Sequence, residues 1–326
     1  MIDKKNIKSE KDEYHFFIDL MKCLGVFLII NSHFDSIYPI RAFATGGALG
    51  NSLFFAASGF LIRNKKKDIK FFLRFAMRLY IPLWIITLLC GINHDKSYLY
   101  QLVWPTNYWF IGAIVLFYVL YTILEKYNIF NHIFLFLTVI IVVYFSVYIF
   151  LLDTSEWIVE TPGLTDLNSG FKLIYYFAIM VFAGYVKECS FDSRAVLVSK
   201  IICILSVIIM YISKAIMWKY SFFMHFQFIS QLCTFVFGIS FLIICKSSKN
   251  LKCIKSKLIN YISNISLECY LTQFLIISLV YSIKFPFNFV LAVVGIIVSA
   301  AVLKKVVNTL IQMVLRVGER INVKST

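Results

Sequence analysis

Residues 129–152 read IFNHIFLFLTVIIVVYFSVYIFLL, a run without one Asp, Glu, Lys or Arg. A helix of about 20 apolar residues, rising about 1.5 Å per residue, crosses the roughly 30 Å hydrocarbon core of a bilayer. This run is therefore a candidate membrane span. Working outward in both directions, similar runs lie between charged or turn-rich breaks. Together they give ten candidates, at about 16–36, 47–62, 75–92, 108–124, 129–152, 171–186, 196–216, 223–245, 259–283 and 286–303. Composition agrees with them: of 326 residues 60% are hydrophobic and 15% charged, too apolar for a soluble domain. No polar stretch between the runs reaches about 25 residues, which excludes a large soluble catalytic or binding domain. The expected fold is an all-α, polytopic membrane helical bundle of about ten transmembrane helices, with the lipid bilayer as its first partner.

Charge then sets the orientation. With the N-terminus inside, 25 basic residues fall in inward breaks and six (Arg41, Lys96, Lys172, Lys214, Lys219, Lys284) fall outside, Lys22 lying within a span. That is the asymmetry of cytoplasmic loops, and it places both termini in the cytoplasm. The break Asp153 to Gly170 holds Asp153, Glu156, Glu160 and Asp166 without a basic residue and suits an outward loop. The net charge of +15 is thereby explained by topology and argues for no nucleic-acid partner. The eight cysteines show no C-x-x-C spacing and read as small hydrophobes, not as a disulfide or metal framework. No cleavage site follows the polar start, so the first span is expected to be retained. Three parts result: a cytoplasmic N-terminal segment (1–15), a membrane domain (16–303) and a cytoplasmic amphipathic tail (304–326), whose stretch Val306 to Val317 is expected to lie on the inner interface.

Ionisable groups inside a span are costly and by default functional. The first span, FFIDLMKCLGVFLIINSHF (Phe16 to Phe34), holds Asp19, Lys22 and His33. Lys22 and His33 are eleven positions apart, which at about 100° and 1.5 Å per residue places them within about 20° of one face and roughly 16 Å apart. Asp19 sits one turn below Lys22 and can pair with it. The pair serves either as an inner-interface anchor or as part of a site. His33, beside Asn31 and Ser32 near the outer end, is the side chain best suited to take and return a proton near neutral pH. The second span begins TGGALGNSLFFAASGFLI (Thr45 to Ile62), with Gly46 and Gly47 at the level of His33 and Ser58 near the inner end. The Gly46–Gly47 amides suit a developing oxyanion; equally, small residues let helices pack closely.

These residues together resemble the acyltransferase 3 family of bacterial membrane O-acyltransferases. Lys22 and His33 match the basic residue, ten intervening positions and histidine of that family's first span. Gly46-Gly47, Gly50, Phe54-Phe55 and Ser58-Gly59-Phe60-Leu61 are similar to its second. RLYIPLW (Arg78 to Trp84), YWFIGAIVLFYVL (Tyr108 to Leu120) and NISLECYLTQF (Asn264 to Phe274) resemble its third, fourth and late spans. The chain departs from the pattern in having Lys22 for the commoner arginine, Ser52 where an acidic residue is frequent, Gln273 for the late histidine, and one extra residue between Arg74 and Arg78.

The resemblance implies transfer of an acyl group, most often acetyl, to a hydroxyl of a sugar or cell-surface polysaccharide precursor at the bacterial cytoplasmic membrane. Acetyl-CoA or another acyl-CoA is then the donor substrate, with no bound cofactor or metal. Arg63, Arg74 and Arg78, with Ser58, would meet the donor, guanidinium forks suiting its phosphates. His33 would act as general base or accept the acyl group itself, with Lys22 and Asp19 beside its path. Trp109, Glu268, Tyr270 and Gln273 are acceptor-cleft candidates, and a buried Glu268 needs a partner or a proton. His225 and Gln227 read as interfacial; His15, His94 and His132 fall at or outside span boundaries. The rival reading is a polysaccharide-precursor transporter or flippase without acyl transfer. Against it, no Gly- or Pro-marked half-helices recur in paired halves, and intramembrane polarity gathers in one helix. An inactive scaffold is the third reading. Nothing in the sequence sets the oligomeric state.

Overall fold

The computed structural model describes residues 4–90, 102, 108–155, 166–248 and 256–324. His94, Lys96, Glu156, Glu160, Lys249, Lys252, Cys253 and Lys255 lie outside the described residues. Eleven helices are described: α1 (Lys4–Ser32), α2 (Gly47–Ile62), α3 (Ile69–Cys90), α4 (Trp109–Lys126), α5 (Ile133–Phe150), α6 (Asp166–Val186), α7 (Ser193–Lys219), α8 (Phe228–Ser247), α9 (Lys257–Asn264), α10 (Ser266–Val280) and α11 (Phe287–Lys324). Short 3-10 turns occupy Arg41–Phe43, Ile129–His132 and Ser221–Phe226, and no strand occurs among the described residues.

All ten apolar runs fall on helices, but their limits differ from expectation in four ways. First, seven helical stretches among the described residues are long and apolar enough to cross a membrane, or eight if α9 and α10 form one span. The expected ten is not reached on those criteria; α6, for instance, is apolar only over Gly170–Val186. Second, α1 ends at Ser32 and not near residue 36. Third, the expected single span 259–283 is bent by 70° between α9 and α10. The bend falls at Ile265, with no Gly or Pro to announce it. Fourth, α11 runs unbroken through Lys304 to Lys324. Its 38 residues amount to about 57 Å of helix, so the expected tail continues the last span without a break.

The described chain forms two compact units. The first comprises Met1–Ile29, Gly46–Lys65 and Leu116–Asn260. In it α2 packs against α6 and α8, α6 against α5 and α8, and α7 along α8. The glycine pattern of α2 explains this centre. A Cβ on Gly59 would stand 1.8 Å from the Met180 carbonyl oxygen of α6, and one on Gly50 would stand 2.6 Å from the Gly25 oxygen of α1. Such backbone-to-backbone approach is how helices gain packing where lipid offers no hydrophobic drive. Large apolar side chains such as Leu135, Val142 and Ile149 on α5, and Leu197, Ile204 and Ile212 on α7, are exposed, as lipid-facing surfaces require. The second unit comprises Ile30–Thr45, Lys66–Val115 and Tyr261–Thr326. Here α10 packs on α11, and α3 on both. α10 is buried at every position from Glu268 to Gln273.

Candidate active site

His33 is the first residue beyond α1, its N–H bonded to the Ile30 carbonyl at 3.0 Å. It therefore stands at the carbonyl end of a helix, where a positive charge is favoured. The segment that follows is fastened. Asn31 donates to the carbonyls of Phe43 (2.8 Å) and Thr45 (2.9 Å) and accepts from the Tyr38 hydroxyl at 2.6 Å. Asn288, at the start of α11, donates to the Ile37 carbonyl at 3.2 Å. Phe34 and Tyr38 pack edge-on and tilted against Phe289 at 5.6 and 5.7 Å. Burial pushes the Tyr38 phenol above its ordinary pKa, so it remains a donor to Asn31 at neutral pH. Sequence reading grouped Asn31 with His33 as a polar cluster; the structure gives it the work of holding the loop.

The His33 ring packs edge-on against Phe274 of α10 at 4.7 Å. Tyr108, just before α4, packs against the same helix, 5.7 Å from Tyr270 and 6.1 Å from Phe274, and its hydroxyl donates to the Leu271 carbonyl at 3.0 Å. Phe110 adds a further ring at 5.7 Å from Tyr270, and Trp109 is half-buried beside it. The second unit thus brings His33, Tyr108 and Tyr270 together around Phe274, from three separate sequence motifs. Gln273 is fully buried on α10, and among the described residues neither of its amide atoms has a hydrogen-bond partner. Glu268, 1% exposed, accepts from Lys304 of α11 at 2.9 Å through Oε1, while Oε2 has no hydrogen-bond partner among the described residues. The partner that a buried carboxylate demands is thereby found, in a lysine the sequence offered only as a topological charge. Arg74 and Arg78 are exposed on α3, one turn apart on one face, with Arg74 Nε also donating to the Lys70 carbonyl at 3.2 Å.

The other expected residues belong to the first unit. Asp19 and Lys22 are half-buried on α1. Gly46 caps α2 with φ of 101°, in the left-handed region that glycine tolerates. A Cβ there would also press on Leu28 at 2.9 Å, so Gly46 has a conformational reason and a packing reason to be glycine; Gly47 opens the helix. Ser58 hydrogen-bonds the Tyr118 phenol. Arg63 is held by Glu125 at 3.2 Å and Glu188 at 2.8 Å and lies 3.9 Å over the Phe130 ring. Burial pushes the Glu188 carboxyl up, but hydrogen bonds from Arg63 and Asn64 outweigh it and hold the group below its ordinary range. Lys187 donates to the Arg63 carbonyl at 2.7 Å, and Lys246 to the carbonyls of Val186 and Lys187 at 2.7 and 2.9 Å and to that of Cys189. These ammonium groups close the carbonyl ends of α2 and α6. Sequence reading missed this clasp, because Glu125 and Glu188 approach Arg63 only in the fold. His225 and Gln227 meet Thr154, through Nδ1 at 2.6 Å and Nε2 at 3.4 Å.

A family model of the acyltransferase domain, Acyl_transf_3, matches residues 15–303. The chain belongs to the acyltransferase 3 family. The match takes in every expected site residue and ends one position short of Lys304. No curated protein and no solved structure matches the chain. As a family member with several apolar helices of spanning length, it is a multi-pass membrane acyltransferase. The single bend between α9 and α10 has no paired counterpart among the described residues.

Proposed function

We propose that the protein is an O-acyltransferase of the bacterial cytoplasmic membrane. It moves a short acyl group, acetyl in the simplest case, from cytosolic acyl-CoA to a hydroxyl of a sugar or cell-surface polysaccharide precursor. The observation that carries the reading is the setting of His33: past the carbonyl end of α1, on a fastened loop, with its ring against the buried helix α10. In the reaction the imidazole takes the proton of the acceptor hydroxyl as the oxygen attacks the thioester carbonyl. The C–S bond then breaks, the CoA thiolate leaves, and an ester forms. The carbonyl end of α1 stabilises the imidazolium that this step creates. Arg74 and Arg78, exposed and a turn apart, bind donor phosphates. Arg63 is not assigned to the donor, because two carboxylates already engage it.

The test is transfer from [14C]acetyl-CoA into envelope glycans by membranes of expressing cells. His33→Ala should lower labelling by about 10²–10⁴-fold, the worth of a general base, while the protein still inserts and accumulates. Labelling within a few-fold of the unsubstituted protein would refute the role of His33.

A further inference from the structure

α10 treats its polar side chains unequally. Thr272 donates to the Glu268 carbonyl at 2.9 Å, and Glu268 is paired with Lys304. Gln273 is 0% exposed, and among the described residues neither Oε1 nor Nε2 has a hydrogen-bond partner. Membrane interiors offer no water to relieve such a group, and an apolar residue of similar size would avoid the cost altogether. The amide also has a definite place. Tyr270, Gln273 and Phe274 follow the i, i+3, i+4 spacing of one helix face, and that face carries the ring that touches His33 and the two rings that touch Tyr108.

We propose that Gln273 is a positioning residue for the acceptor and that it selects a neutral, polyhydroxylated ligand. A carboxamide presents one acceptor and two N–H donors side by side. That set matches a sugar, whose neighbouring hydroxyls each give and take a hydrogen bond. An anionic acceptor group would leave Oε1 facing lone pairs. Gln273 performs no proton transfer; it orients the hydroxyl whose proton His33 removes. The inference rests on the function proposed above.

The experiment uses full-length protein in membranes with [14C]acetyl-CoA. It reads label in envelope glycans, free acetate released by transfer to water, and the melting temperature of the purified protein. Gln273→Leu should melt at or above the parent temperature, since two unsatisfied polar atoms are removed. Its glycan labelling should fall at least about tenfold, while His33-dependent acetate release persists. Gln273→Glu, which keeps the size but lacks the N–H donors, should likewise lose glycan labelling. The inference is overturned if Gln273→Leu labels glycans within about twofold of the parent. It is equally overturned if the melting temperature drops and acetate release falls in step with labelling, because the amide would then be structural. A parent protein that labels no glycan overturns the functional reading itself and this inference with it.

Discussion

Replacing Lys304 by methionine tests the arrangement of the second unit most directly. Lys304 stands 2.9 Å from Glu268 Oε1, with side-chain exposures of 33% for the lysine and 1% for the glutamate. The other carboxylate oxygen, Oε2, has no hydrogen-bond partner among the described residues. Lys304→Met therefore strands a buried charge, a change that costs about 3–5 kcal/mol. The converse, Glu268→Gln, leaves an ammonium that is a third exposed and on a flexible stem that can reach polar surroundings. It should cost nearer the ~1.5 kcal/mol of one charge-assisted hydrogen bond. Removing both partners as Glu268→Leu with Lys304→Met should return stability to within about 1 kcal/mol of the parent, since apolar replacement of a whole buried pair is often neutral. At roughly 2 °C per kcal/mol for a chain of this length, the three variants should melt about 6–10, 3 and 0–2 °C below the parent. The comparison is thermal unfolding in one detergent at one scan rate. Equal losses from the two single changes, or a double variant that loses their sum, would refute the claim that an ionised, coupled pair joins α10 to α11.

Two further outcomes follow from the glycines and the arginines. Gly59→Ala would place a Cβ 1.8 Å from the Met180 backbone oxygen, whereas one at Gly170 meets nothing within 4 Å. Folded, monodisperse protein should therefore be lost for Gly59→Ala and kept for Gly170→Ala, and normal yield of the former in size-exclusion chromatography would contradict the α2–α6 contact. Arg74→Gln and Arg78→Gln should each raise the acyl-CoA concentration needed for half-maximal labelling by about 10–100-fold, the worth of a charged hydrogen bond, with a smaller change at saturation. An unchanged donor dependence in steady-state assays would remove them from the donor site.

Much of the fold is visible in the sequence because a bilayer allows few solutions: each apolar run must become a helix that satisfies its own backbone. Helix limits are another matter. The run 16–36 turns polar over Asn31, Ser32 and His33, but the turn there depends on Asn31 finding the carbonyls of Phe43 and Thr45, twelve and fourteen residues away. Lys304 and Lys305 look like the stop of a last span, yet α11 continues through both of them, and Lys304 is paired with Glu268. The bend at Ile265 carries no Gly or Pro, so no local signal could mark it.

The glycine motif was legible as a pattern, but its reason was not. Spacing alone left Gly46 open between an amide cradle and close packing, and only the neighbour Leu28 and a φ of 101° show that packing and conformation both require it. Basic residues make the same point more sharply. Counted along the chain, Arg63, Arg74, Arg78, Lys187, Lys246 and Lys304 form one class, the inward charge that orients the helices. The fold divides that class by what each cation already touches. Arg63 is taken by two carboxylates, Lys187 and Lys246 by helix-end carbonyls, and Lys304 by a buried glutamate. A cation so engaged must surrender a partner before it can bind an anionic substrate, and each surrender costs several kcal/mol when the partner is buried. Arg74 and Arg78 are exposed and face no such cost. Of the arginines first considered for the donor, these two on α3 are the exposed ones.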